Sequence, residues 1–309
     1  MLSRLASFLP FFEVIPEIFS IFATLKIMKA TQADIAIIGA GNVATHLICA
    51  LQAAGYTVKA VMRHRKIALS LHNEEALSRD RHRPVVVTET SELPEAGIYI
   101  YSVSDGILPK LAEQISHEHP DSLHIHTSGS TGLDVFAPVC KHCGVLYPLQ
   151  TFTASRELDF SQIPCFVEAN TADSLTAISA LAHRLTRTVA ELDSRRRREL
   201  HLAAVFACNF VNHCYAIATE RLIQKAGVSP EVLVPLIGET AAKACQLGAM
   251  AAQTGPAVRA DERILACHQT MLIDDPLRQQ VYETLSCSIH DYATRNHINN
   301  NQNHPHDKL

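Results

Sequence analysis

One short run constrains this chain more than any other. Gly39-Ala40-Gly41-Asn42-Val43-Ala44 stands directly after an apolar stretch, residues 34–38, and directly before a stretch with helical spacing. The pattern G-x-G-x-x-A says little alone; it becomes informative as a strand–turn–helix junction inside a β-α-β unit. Residues 34–38 read as a buried parallel strand. Residues 42–54 put Val43, Leu47 and Leu51 on one helical face before Gly55. Residues 57–62 supply the next strand and complete a unit of about 30 residues. Gly39 then permits the tight turn, Gly41 lets backbone approach a pyrophosphate, and Ala44 keeps helix and strand close. The helix N-terminus offers unpaired N–H groups to phosphate. The competing reading is a glycine turn with no ligand.

The end of the second strand speaks to which dinucleotide is held. An NAD enzyme carries an acidic residue there for the ribose 2′-hydroxyl, about 20 residues after the loop. This chain has Met62-Arg63-His64-Arg65-Lys66 instead. Arg63 and Arg65 can pair with a 2′-phosphate, which favours NADP(H) over NAD(H); a solvated basic loop is the alternative.

Further along, helix is expected at 67–78, 107–117 and 172–186, and strand at 85–88, 98–103, 123–126, 144–149, 165–168 and 188–192. Alternation of this kind gives an α/β fold, a Rossmann-type, mostly parallel sheet covered on both faces. Asp105 is placed to cap the helix at 107–117. After residue 193 the pattern is helical only, at 195–226, 230–247, 261–272 and 276–294. The expected organisation is an extension or mis-assigned start at 1–33, a nucleotide-binding domain at 34–193 (core 34–130, sheet extension 144–193), an all-α domain at 194–295 and a disordered polar tail from 296. The helical domain is expected to bind substrate and to form a homodimer.

Composition narrows the classes. With 27 basic and 31 acidic residues the net charge is −4, so no basic field attracts nucleic acid. Nine cysteines, an odd number in a chain of 309 residues, fit reduced thiols in the cytoplasm better than a disulfide framework. Cys140 and Cys143 form a lone C-x-x-C without a second ligand pair, better read as chance than as zinc. The apolar stretch near the N-terminus is broken by Glu13, Pro16 and Glu17 and makes a poor membrane span.

Ligands of open α/β sheets bind beyond the carboxyl ends of the strands. Two such ends are polar here, Ser102-Val103-Ser104-Asp105 and His126-Thr127-Ser128-Gly129-Ser130. Val103 and Ser104 are candidates for cofactor contact, His126 and Ser128 for the chemistry, and Ser130 for substrate. A core histidine is the other reading of His126, and helix capping that of Asp105. Asn209, Asn212 and His213, at i, i+3 and i+4, share a helix face; they line a cleft or hydrogen-bond within a helix interface. Arg259 and Asp261 follow a helix-breaking Thr254-Gly255-Pro256, as a loop over a site or as an internal brace.

These segments, with Tyr147-Pro148-Leu149-Gln150-Thr151-Phe152, His201-Leu202-Ala203-Ala204 and Thr254 through Asp261 with His268, resemble a family of bacterial Rossmann-like proteins carrying a C-terminal domain of unknown function. The family is similar to pyrroline-5-carboxylate reductase and, more distantly, to 6-phosphogluconate dehydrogenase and ketopantoate reductase. The resemblance implies an NADP-dependent oxidoreductase with a dimer-forming helical domain, and it names no substrate. It departs at two places. Tyr147 stands where the family often has His, and Val205 stands where hydroxyacid dehydrogenases place a catalytic lysine before the asparagine. Imine reduction asks less of the protein, since the cofactor carries the hydride. The expected function is hydride transfer to or from a small C=N or C=O group between the domains, with Asn209 and Arg259 completing the pocket. The alternative is a non-catalytic NADP-binding or redox-sensing protein of the same fold.

Overall fold

The computed structural model describes residues 33–63, 83–136 and 139–303. Arg65, the helix expected at 67–78 and the N-terminal extension lie outside the described residues. Contacts divide the chain into two units, Met1–Asn209 and Phe210–Leu309. The division falls later than residue 193 because Arg197 and His201, early on the long helix, pack against the first unit.

The first unit is an eight-stranded sheet. In chain order its strands are β1 (Ile35–Ile38), β2 (Val58–Met62), β3 (Val85–Val87), β4 (Ile98–Tyr101), β5 (Leu123–His126), β6 (His142–Pro148), β7 (Cys165–Ala169) and β8 (Val189–Glu191). They lie side by side as β3-β2-β1-β4-β5-β6-β7-β8. All pairs are parallel except β6 with β7. The reversal of order after β1 creates the crevice between β1 and β4 where this fold takes ligands. Helix α1 (Asn42–Ala53) and α3 (Ala172–Leu185) contribute Leu47, Leu51, Ile178 and Leu181 to the core on one face of the sheet. Helix α2 (Leu108–Glu118) contributes Leu108, Ala112 and Ile115 on the other. The strands read as continuous apolar runs because both faces are covered.

Register aligns the strand ends. Met62 pairs with Ile38, Ile38 with Tyr101, Tyr101 with His126, His126 with Val145, and Val145 with Glu168. With Val87, which pairs with Met62 from β3, this one rung crosses seven strands. Just past it the chain leaves the sheet at Gly39, Arg63, Ser102 and Thr127, the segments that sequence singles out. Because β7 runs antiparallel, Glu168 reaches the rung from the opposite direction.

Helix α4 (Ser194–Ala204) follows β8, capped by the Asp193 carboxylate, which accepts from the Arg196 N–H at 2.8 Å. It passes into a π-helical segment, Val205–Phe210, that carries Asn209. The second unit then comprises α5 (Val211–Arg221), a π turn ending at Gly227, α6 (Val234–Leu247), α7 (Ala249–Ala252), α8 (Glu262–Thr270) and α9 (Pro276–Asn303). Helix α9 runs past residue 296, so the first residues of the expected disordered tail are helical. Extending an existing helix gains a hydrogen bond for each residue fixed, which is easier than nucleating one.

The second unit has almost no core. Of its large apolar side chains in the described residues, Leu272 is buried, while Phe210, Leu236, Met250, Ile273 and Leu277 are exposed. The stretch Ser194–Ala226 is long and apolar enough to cross a membrane by length and composition, and its most apolar window is 0% buried. Polar contacts that hold the unit include Arg278 with Glu220 at 2.8 Å and His268 Nδ1 with the Tyr282 hydroxyl at 2.8 Å.

Candidate active site

The glycine loop leaves β1 held from both sides. The Gly39 N–H donates to the Met62 carbonyl at 2.9 Å, and the Ser102 N–H to the Ile38 carbonyl at 2.7 Å. Gly39 has φ +114°, and a Cβ there would lie 2.2 Å from the Ser102 carbonyl oxygen. No other residue fits this turn. Gly41 differs: a Cβ there would meet nothing within 4 Å. It faces open space at the start of α1, whose N-terminus has no side-chain cap and no acidic residue in its first turn. Uncapped N–H groups beside an open glycine suit an anion, as a dinucleotide pyrophosphate requires. Gly39, Ala40, Gly41, Asn42, Val43 and Ala44 therefore fit the cofactor through backbone. The Asn42 side chain is engaged elsewhere, accepting from the Ala154 N–H at 3.1 Å. Arg63 follows β2 directly, its N–H bonded to the Val87 carbonyl at 2.9 Å. It stands where a ribose 2′-substituent belongs in this fold.

The next strand end corrects one expectation. Asp105 does not cap α2, which has Ile107 at its N-cap and no side-chain cap bond. Pro109 at the helix start removes one of the N–H groups a cap would serve. Instead Asp105 accepts a short hydrogen bond from the Ser130 hydroxyl, joining the two polar strand ends. Partial burial opposes its ionisation, but hydrogen bonds from Ser130, Ser128 and Thr131 together outweigh it and keep the carboxyl below its ordinary range. Ser128 Oγ accepts from the N–H groups of Ser130 and Thr131 at 3.2 and 2.9 Å, folding the turn on itself. Val103 is half-buried and Ser104 exposed between these groups.

His126 is the second correction. It is 0% exposed and cannot meet a substrate. Its last-residue position on β5 points the ring into the core beside Phe136, ring centroids 5.5 Å apart. Nδ1 accepts the Ser128 N–H at 3.2 Å, and Nε2 is buried without a hydrogen-bond partner. Burial first, then the Arg197 charge, lowers its pKa to about 3, so the ring is neutral and acts as an acceptor that orients the turn.

Sequence reasoning missed what braces that turn. Arg197, 0% exposed, donates to the Thr131 carbonyl at 2.6 Å and pairs closely with Glu168. Ser194 donates to the same carboxylate at 2.8 Å and accepts the Leu133 N–H at 2.8 Å. Arg197 is the third of four consecutive arginines at 195–198, and nothing in the spacing marks it as the buried one. A second missed pair is Tyr147 and His201, whose hydroxyl and Nδ1 are 3.1 Å apart. Both enclose Gly129, where a Cβ would lie 2.6 Å from His201 Nδ1 and 2.9 Å from the Tyr147 ring. The motif segments contained all three residues, but only the folded chain shows that they touch.

The remaining candidates are described each within its own unit. Ser130 is exposed and tied to Asp105. Asn209 is exposed in the π segment; Asn212 and His213 are exposed on α5. Asn209 lies near the end of the π segment, which closes at Phe210, directly before the α-helix that carries Asn212 and His213. Asp261 caps α8 by accepting from the Ile264 N–H at 3.2 Å, and Arg259 is exposed. Among the described residues no group of His, Cys, Asp and Glu is arranged to hold a metal.

The family models match in two parts, a Rossmann-like domain over residues 23–151 and the domain of unknown function DUF2520 over residues 163–289. A candidate NADP oxidoreductase from Bacteroides fragilis is 39% identical, with 85% of this chain and 99% of that one covered at a TM-score of 0.77. The chain belongs to this family of Rossmann-like proteins with a DUF2520 domain. Two more distant structures share the fold. A reductive aminase from Aspergillus terreus, solved with NADPH and ethyl levulinate, is 16% identical over 86% of this chain and 94% of its own, TM-score 0.57. A 1-pyrroline-5-carboxylate reductase from Streptococcus pyogenes is 11% identical over 85% and 98%, TM-score 0.51. No curated protein matches the chain.

Proposed function

We propose that this family member is an NADP(H)-dependent oxidoreductase, transferring hydride to or from a small C=N or C=O substrate at the carboxyl edge of the β1–β4–β5 sheet. The observation that carries the reading is the contrast between the two glycines. Gly39 is locked against Ser102, whereas Gly41 opens onto an uncapped helix N-terminus. The bound nicotinamide would supply the hydride. The protein would hold the pyrophosphate on the Gly39–Ala44 backbone and the 2′-phosphate on Arg63. The polar turn at Ser128–Ser130, fixed by Asp105, His126 and Arg197, would line the reacting end. The 39% identity to a candidate NADP oxidoreductase supports the same class.

Titrating the protein with NADPH and NADH, followed by cofactor fluorescence, tests the cofactor. Tight NADPH binding with NADH at least about tenfold weaker is expected, a ratio worth about 1.4 kcal/mol. Equal or stronger NADH binding removes the role of Arg63. Following NADPH oxidation across a panel of cyclic imines and keto acids then tests the reaction. Val205, in place of a lysine, favours a second reading, a cofactor-binding sensor. That reading predicts NADPH binding with no oxidation by any member of the panel.

The same proposal includes a homodimer through the helical unit, working in the cytoplasm. A unit whose Phe210, Leu236, Met250 and Ile273 are all exposed lacks the buried surface a stable domain needs. All nine cysteines are free, as a reducing compartment allows.

A further inference from the structure

The polar groups at the sheet edge form a contiguous row. Gly39 abuts the Ser102 carbonyl, three residues before Asp105. Asp105 binds Ser130, and the adjacent Gly129 packs against His201 and Tyr147. The row thus runs from the cofactor loop to one imidazole. His201 is the partly exposed member of its pair, and Tyr147 is 8% exposed. Tyr147 holds Nδ1 at 3.1 Å, so among the described residues Nε2 is left as the ring's open edge. Gly129 is the only residue that allows the ring this close to the turn, since a Cβ would collide with Nδ1 and Cγ. Burial raises the pKa of Tyr147, so the phenol stays protonated and acts as a hydrogen-bonding partner rather than a base.

We infer that His201 is the general acid of the site, delivering a proton from Nε2 to the substrate heteroatom, with Tyr147 as the residue that positions it. The inference rests on the oxidoreductase reading above. In the reduction, the substrate carbon accepts a hydride from NADPH, that is, a proton with two electrons. The π pair of the C=N or C=O bond moves to the heteroatom and takes the proton from the His201 imidazolium. The ring is left neutral, with Nδ1–H directed at the Tyr147 oxygen, and recovers its proton from water. A proton delivered to the heteroatom suits a neutral imine or a carbonyl, whereas a preformed iminium needs none.

The inference requires His201 to lie within electrostatic reach of the nicotinamide, and this is measurable without a substrate. The histidine ring proton resonances are followed by NMR across pH with NADPH bound and again with NADP+ bound. The His201 signal is identified by its loss in His201→Asn, or by its displacement in Tyr147→Phe should the first variant not fold. Titratable and charged groups near the ring include Tyr147, Arg197 and Arg198, four and three residues earlier on α4, and Asp105, bound to Ser130 next to Gly129. None of them changes charge with the cofactor's redox state. Oxidation places a positive charge on the nicotinamide, so the His201 midpoint is expected about one pH unit lower with NADP+ than with NADPH. Equal midpoints in the two complexes, with both cofactors bound, overturn the assignment of His201 and leave the cofactor reading standing. Failure of either cofactor to bind overturns both.

Discussion

At the residue scale the two loop glycines separate folding from binding. Gly39→Ala should lower stability by about 3 kcal/mol, from a strained backbone and a clash with the Ser102 carbonyl. Gly41→Ala should leave the melting temperature unchanged and weaken NADPH binding tenfold or more, by about 1.4 kcal/mol. Thermal melts and cofactor titrations of both variants check this; a Gly41→Ala protein that binds NADPH normally would remove the loop from the cofactor site. Two buried histidines set the pH dependence. The pKa of His126 is held down to about 3 and that of His124 to about 4, both chiefly by burial, against 6.5 when unfolded. Below pH 6.5 the unfolded chain therefore takes up protons that the folded one refuses, and stability falls as pH is lowered. By pH 5 each histidine should cost about 2 kcal/mol relative to pH 7. Denaturant melts at the two pH values should show this, with a shallower dependence in His126→Asn. The glycines were legible in the sequence because their conformational roles are local. The burial of His126 was not, because a strand-end histidine faces the core or the edge according to the parity of its strand.

At the element scale, the first turn of α4 is joined to the sheet edge by ions rather than by apolar packing. Arg197 is fully buried, and removing its partner would leave the guanidinium uncompensated. Glu168→Ala should destabilise the first unit by about 3–5 kcal/mol, whereas Arg196→Ala, at an exposed pair, should cost at most about 1 kcal/mol. Equal effects in denaturant titrations would contradict the buried-brace account. The strands and helices themselves were readable from apolar runs and turn residues, within a residue or two at most ends. The π segment at Val205–Phe210 was not, because its residues carry ordinary helical propensities and the change lies only in hydrogen-bond register. The exchange of Asp105 from cap to serine acceptor has a similar origin. Its true partner is twenty-five positions away, beyond any local pattern.

At the scale of the whole molecule, the exposed apolar residues of the helical unit bear on the proposed homodimer. Sedimentation should show a homodimer, and Phe210→Glu with Leu236→Glu should yield monomers that aggregate or melt at lower temperature. A wild-type protein that stays monomeric, or that partitions onto lipid vesicles instead, would exclude a dimer as the cover for these residues. The apolar side chains were visible in the sequence only as helical periodicity; that they stay exposed could be learned only from the fold. The rung that crosses seven strands has a further meaning for how this protein can change. A parallel strand advances about 3.3 Å for each residue, while a working site tolerates misplacement of about 0.5 Å. Inserting a single residue into β1, β4 or β5 would push one group of the site out of line with the rest, however stable the sheet remained. Substitutions beyond the rung face no such penalty. The strands act as a shared baseline that keeps its length, and new substrate preferences can arise in this family by rewriting the few residues that stand above it.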